Sequence, residues 1–197
     1  MTYDFTTLPD RWDTGAEKYE LMKARCPDVP RGIVPFSVAD MDFLPPPELS
    51  EGVQDFMQGR VFGYTRTPRE YIAAFRRWMQ RRHGVDIPDR WVVDADSVLG
   101  AMHRMIRCFT RPGDGIVVMT PAYPPFLDAP EPLERRRLDC SMCLGADRRY
   151  TIDFALLETL CRREDTTMLI LCNPHNPVGR VWTRDELEQV ADICLRH

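Results

Sequence analysis

No stretch of this 197-residue chain approaches the ~18 consecutive apolar residues that a membrane-spanning helix requires. The N-terminus, Met1-Thr2-Tyr3-Asp4-Phe5, also lacks the basic and apolar regions of an export signal. A basic excess is missing too. Lys and Arg total 26 against 30 Asp and Glu, a net charge of −4. This argues against a nucleic-acid partner, because neutralising phosphates takes a cationic surface. The densest basic run, Arg135-Arg136-Arg137, reads as a solvated turn or helix end. Lysine is scarce, with Lys18 and Lys23 the only two. Metal-type spacing is lacking as well. Cys140 and Cys143 form a C-x-x-C, but no second Cys pair or His pair follows at zinc spacing, so no metal is expected. The other cysteines are Cys26, Cys108, Cys161, Cys172 and Cys194. An odd thiol count without an export signal fits free cysteines and a cytoplasmic location.

The 44% hydrophobic content and 28% charge are those of a globular protein with enough apolar material to offset the entropy of ordering. Residues 1–45 read as an irregular N-terminal arm, closed by Pro45-Pro46-Pro47 at the start of a helix. Residues 46–197 read as a larger domain. Leu49, Val53, Phe56 and Met57 recur at helical spacing, and a loop at Phe62-Gly63-Tyr64-Thr65 follows. A second helix over 69–82 carries Tyr71, Ile72, Phe75, Trp78 and Met79 on one face and stops at Gly84. Trp91-Val92-Val93 is a β-prone run, and Val98, Met102, Met105, Ile106 and Phe109 make the next helical stripe. Ile116–Met119 and Met168–Cys172 are continuous apolar runs. Such runs, alternating with amphipathic helices, indicate parallel strands buried on both faces, so the fold class is α/β. Thr183 with Glu186 forms a capping box, and Leu187, Val190, Ala191 and Cys194 make that helix's inner stripe. A parallel sheet usually continues after such a helix, so the chain reads as cut short at its C-terminus.

In open α/β sheets ligands gather beyond the carboxyl ends of the strands. Three such ends are legible. After Trp91-Val92-Val93, Ser97-Val98-Leu99 opens a helix whose free N–H groups suit a phosphate, although Ser97 reads equally as a plain N-cap. After the second strand, Tyr123 stands in a Pro-rich loop, able to stack on a ring or simply to pack. After the third comes Cys172-Asn173-Pro174-His175-Asn176-Pro177-Val178-Gly179-Arg180, with two Asn-Pro pairs in five residues. Pro restrains that backbone, and each Asn offers a donor and an acceptor.

The Asn-Pro-His-Asn-Pro-Val-Gly-Arg run resembles the signature of fold-type I pyridoxal-phosphate enzymes. More narrowly, the chain is similar to the aminotransferase-like carbon–sulfur β-lyases of the cystathionine β-lyase group. Val38-Ala39-Asp40-Met41-Asp42-Phe43, Phe62-Gly63-Tyr64, Trp78–Gly84, Thr110–Asp114 and Thr120-Pro121-Ala122-Tyr123 match in order. The resemblance implies the large domain of a pyridoxal 5′-phosphate enzyme, lacking its C-terminal part, with a small amino-acid substrate. It implies that Asn176 bonds the cofactor's phenolic oxygen and that Tyr123 stacks on its ring. Ser97, Val98 and Leu99 would receive the phosphate. Tyr64 would reach the phosphate of a partner subunit in a homodimer. Ala39 would line the substrate pocket near the carboxylate, a contact Asn176 would share.

The chain departs from the family at Ser97, commonly Gly, and at Ser37, commonly Trp. A larger departure is that the pyridinium-binding Asp, the Schiff-base Lys and the carboxylate-binding Arg have no counterpart. Lys18 and Lys23 lie outside any matching motif, so the resemblance implies a half-site with no catalytic residue of its own. The implied parent reaction is α,β-elimination of a cysteine S-conjugate or cystathionine to thiol, pyruvate and ammonia. An aminotransferase and a non-catalytic remnant are the alternatives.

Overall fold

The computed structural model describes residues 3–197, which divide into two compact units, one ending at Arg66 and the other spanning Thr67–His197. The first unit holds helices α1 (Glu17–Arg25) and α2 (Pro47–Met57) joined by irregular chain. The sequence reading of residues 1–45 as wholly irregular is corrected by α1. This helix has few apolar residues to mark it, and it is stabilised instead by acidic residues in its first turn and basic ones in its last. α2 begins as the proline run implies, with Pro47 in its first turn.

The second unit opens with α3 (Arg69–His83), whose C-cap Gly84 adopts φ 69°, the left-handed conformation that ends a helix at least cost for glycine. Next come α4 (Val98–Phe109), β1 (Gly115–Thr120), α5 (Pro124–Asp128) and β2 (Arg136–Ser141). A short hairpin, β3 (Cys143–Leu144) with β4 (Tyr150–Thr151), leads to α6 (Phe154–Cys161), β5 (Thr166–Ile170) and α7 (Arg184–Arg196). The main sheet has the order β2-β1-β5, and both pairings are parallel. Ile116, Val117, Val118 and Met119 of the central strand are essentially inaccessible, as expected for a strand covered on both faces. One face packs on α6 and α7 through Val117, Met119, Cys140, Leu157, Val190 and Ile193. The other packs on α4 through Ile106, Met102 and Ile116.

Four readings change. Trp91-Val92-Val93 is not a strand but a 3-10 turn (Asp89–Trp91) followed by unpaired extended chain, with Trp91 and Val93 exposed. A β-prone run becomes a strand only where a neighbour completes its hydrogen-bond ladder. Arg136 and Arg137 belong to the edge strand β2, not to a turn. Their side chains face solvent while Leu138 and Cys140 alternate inward. β5 begins and ends two residues earlier than the apolar run suggests. In α7 the buried positions are Val190 and Ile193, with Ala191 and Cys194 exposed, because the helix meets α6 along an i, i+3 row.

Candidate functional site

α4 has 12 residues, about 18 Å of helix, and the six residues of β1 span about 20 Å. The turn between them lies at the amino ends of the strands, where the Arg135 guanidinium donates to the Thr110 carbonyl and hydroxyl at 2.6 and 2.8 Å. The amino end of α4 is therefore directed toward the carboxyl ends of the strands. Ser97 is the N-cap: its hydroxyl accepts from the Gly100 N–H at 2.9 Å. That satisfies one of the helix's unpaired donors, and among the described residues the N–H groups of Val98 and Leu99 have no protein partner. Free donors and the positive end of the helix dipole together make an anion-receptive surface. Asp96 opposes an anion there, but Arg104, 2.9 Å away, offsets its charge.

Beyond β1, Tyr123 is the N-cap residue of α5, 38% exposed, with Phe126 edge-on to it at 5.5 Å. Beyond β5, the two asparagines of the Asn-Pro-His-Asn-Pro run divide their roles. The Asn173 side-chain oxygen accepts from the Trp182 N–H at 3.1 Å and locks the loop. Asn176 is exposed, and its carboxamide has no partner among the described residues; only its backbone N–H is engaged, by the Cys172 sulfur at 3.5 Å. The loop is pinned further by Trp182 Nε1, which donates to the Cys172 carbonyl at 2.9 Å, and by the Arg180–Glu186 pair. The peptide bonds before Pro121, Pro174 and Pro177 are cis.

The sequence reading treated His175 only as part of the motif, yet this residue joins the two loops: its Nε2 lies 3.0 Å from the Pro121 carbonyl. Its place between two Asn-Pro pairs was the available signal. Nucleophilic cysteine chemistry is disfavoured at the sheet, where burial pushes the Cys140 thiol up to about 12 and Cys161 to about 11. Among the described residues no cluster of His, Cys, Asp or Glu has the arrangement to hold a metal.

The remaining candidates lie in the first unit. Tyr64 and Ala39 are both exposed. Ala39 lines an open cavity together with Lys18, Val34, Phe36, Val38 and Phe43. Val38 has φ 64°, a strained setting for a β-branched residue, and the Asp40 N–H closes the bend by donating to its carbonyl at 2.8 Å. Hydrogen bonding from Arg11 holds the Asp40 carboxyl below the usual carboxylate range, and Lys18 does the same for Asp42.

The sequence pattern of class I and II aminotransferases matches residues 31–197. The chain belongs to the class I and II aminotransferase family. This aminotransferase-family chain is 35% identical over 187 residues to the cystathionine beta-lyase PatB of Bacillus subtilis (strain 168), covering 95% of itself and 46% of that protein. It is 33% identical over 196 residues to protein MalY of Escherichia coli (strain K12), covering 99% of itself and 50% of MalY. Its fold superposes on cystalysin from Treponema denticola, a structure containing pyridoxal 5′-phosphate, with a TM-score of 0.94 and 42% identity, over all of this chain and 50% of that one. The fold is thus that of fold-type I pyridoxal-phosphate enzymes, and the chain spans about half the length of the relatives it matches.

Proposed function

We propose that this chain is the phosphate- and ring-holding half of a pyridoxal-phosphate-dependent carbon–sulfur β-lyase acting on cysteine S-conjugates or cystathionine. The observation that carries the reading is the division of labour between Asn173 and Asn176. One is consumed in fixing the loop, and the other presents an unpartnered amide at the same end of the sheet as the free N–H groups of α4. This donor set fits the cofactor: Val98 and Leu99 for the phosphate, with Ser97 closing the helix behind them, Tyr123 for the ring face, and Asn176 for the phenolic oxygen. When bound, pyridoxal phosphate supplies an electron sink for negative charge developing at the substrate's α-carbon. The Asn176 amide holds the phenolic oxygen by donating to its anionic form and fixes the plane of the ring. Tyr123 keeps water from one face. Asn176 also meets the substrate carboxylate, Ala39 lines a substrate pocket in its own unit, and Tyr64 serves the phosphate of a partner subunit in a homodimer.

Neither lysine is free to form the covalent link. Lys18 is buried, with Nζ 2.5 Å from the Asp42 carboxylate and 2.8 Å from the Asp40 carbonyl, and Lys23 pairs with Glu20 and Asp13. The chain alone therefore holds the cofactor without covalent attachment and without turnover. Its seven free thiols suit a reducing cytoplasm.

Equilibrium dialysis against pyridoxal phosphate, followed by borohydride and peptide mapping, tests the half-site. Expected are reversible binding, no labelled lysine, and affinity weakened roughly 10- to 150-fold in Asn176→Ala, the equivalent of a charge-assisted hydrogen bond of about 1.5–3 kcal/mol. Stoichiometric label on Lys18 or Lys23, or unchanged affinity in Asn176→Ala, contradicts the assignment. Complementation with the C-terminal half of PatB tests the reaction: pyruvate and thiol from cystathionine support the lyase. Amino transfer to a 2-oxo acid instead supports the aminotransferase reading, which the breadth of the family pattern favours.

A further inference from the structure

We propose that His175 is a positioning residue that sets Tyr123 and Asn176 relative to each other by tying the loop after β1 to the loop after β5. The proposal rests on reading those two side chains as cofactor contacts. The need for such a tie follows from the sheet. The β1–β5 ladder ends at the pair Val118↔Ile170; β1 stays paired with β2 through Thr120↔Ser141, but beyond Ile170 the sheet no longer ties β1 to the chain that follows β5. Tyr123 lies three residues past the last paired position of β1, Thr120, and Asn176 six past that of β5, Ile170. Backbone this far from a ladder does not hold two side chains in fixed relation unless something else does.

His175 supplies that connection. Only 2% of its surface is accessible. Its backbone N–H donates to the Arg180 carbonyl at 2.7 Å, and its own carbonyl accepts from the Gly179 N–H at 2.8 Å, which anchors the residue in its loop. The ring stands edge-on to Trp182 at 5.5 Å. From this seat Nε2 reaches the Pro121 carbonyl, 54 positions away in sequence and two residues before Tyr123. A carbonyl can only accept, so the Nε2 facing it carries a proton. Nδ1 is buried without a partner among the described residues, a burden that an apolar side chain of similar size would not carry. The inter-loop bond is what the imidazole adds over such a residue. Asn176 is the next residue in the chain, so the same bond that fixes the Pro121 loop fixes the start of the Asn176 amide.

His175→Gln and His175→Leu separate the bond from the bulk, since Gln can place an N–H near the position of Nε2 and Leu cannot. Three measurements are made on the 197-residue chain: hydrogen exchange over residues 122–128 and 175–180, dissociation constants for pyridoxal phosphate by dialysis, and thermal melts. Nitrogen NMR of the native imidazole should show a proton on Nε2. In the Leu variant both loops should lose protection together while β1 and β5 keep theirs, and pyridoxal-phosphate affinity should fall about tenfold. The Gln variant should restore both to within about threefold, whatever the two melting temperatures do. If the native chain retains no cofactor, the reading of Tyr123 and Asn176 fails, and the exchange data alone decide the role of His175. Loops unchanged in the Leu variant, loops loosened equally by Gln and Leu, or a native ring without a proton on Nε2 would each overturn the proposal.

Discussion

In the first unit the most deeply buried side chain is a cation, Lys18, held between Asp42 and the Asp40 carbonyl and covered by Tyr19. In the second, the inaccessible positions are Ile106, Ile116, Val117, Met119, Cys140 and Leu157. The first unit leaves Phe5, Phe36, Val61, Phe62 and Tyr64 exposed, and its long-range ties are ion pairs such as Arg11 with Asp40 and Asp42, and Arg31 with Asp10 and Asp13. Ion pairs fix geometry well but add little net stability at an exposed surface, whereas buried aliphatic area contributes directly to stability. The first unit is thus specified more than it is stabilised, and the second is both.

The largest expected effect lies in the second unit. Leu157→Ala opens a cavity between α6 and β1 and should cost about 2–5 kcal/mol in chemical denaturation, with exchange protection lost across the whole sheet. A loss confined to α6 would break the claim that the second unit shares one core. Next is Asp42→Asn, which leaves the Lys18 cation with a neutral partner in a buried setting, an arrangement that strongly destabilises a fold. Protection of residues 17–25 and 36–43 should collapse while β1 and β5 stay protected. Acid should imitate this substitution. Asp40 and Asp42 titrate below the usual value, so their contribution is complete above about pH 4 and is lost as pH falls through the depressed values. The first unit should therefore open before the second on acidification, followed by circular dichroism and exchange. Asp165 of the second unit, held to about 2 by Arg163 and Arg136 at the surface, adds only a weak acid-side term.

Thr183→Ala is expected to cost about 1 kcal/mol, because it removes the hydroxyl that accepts from the Glu186 N–H and half of the reciprocal cap. The smallest effect should be alkaline. Cys140 and Cys161 are raised by burial, so the unfolded thiols ionise first, and stability of the second unit should drift down from about pH 8.5. A first unit that outlasts the second between about pH 8.5 and 10 would sharpen the contrast, and a flat profile would remove the thiols from it.

Much of the second unit was legible because its signals are local. The period of Met102, Ile106 and Phe109, the αL glycine after α3 and the Thr183–Glu186 box each report a helix from within a few residues. β2 was missed because two arginines lead it, although the alternation Leu138, Cys140, Met142 was there to be counted. α6 carries its own signal too, an Asp153 N-cap followed by Leu156, Leu157 and Leu160.

What the sequence by itself determined is the set of side chains and the backbone habits of short segments: apolar runs that must be buried, caps, and proline-restrained loops carrying asparagine. Which asparagine would be used up in the loop and which left to a ligand was not among these. Nor was whether Trp91-Val92-Val93 would find a strand partner, or that His175 would reach Pro121 across 54 residues. Those outcomes depend on which groups meet after strands distant in the chain have paired, and a hydrogen bond is directional over about 3 Å. Only the tertiary structure brings such partners within that reach.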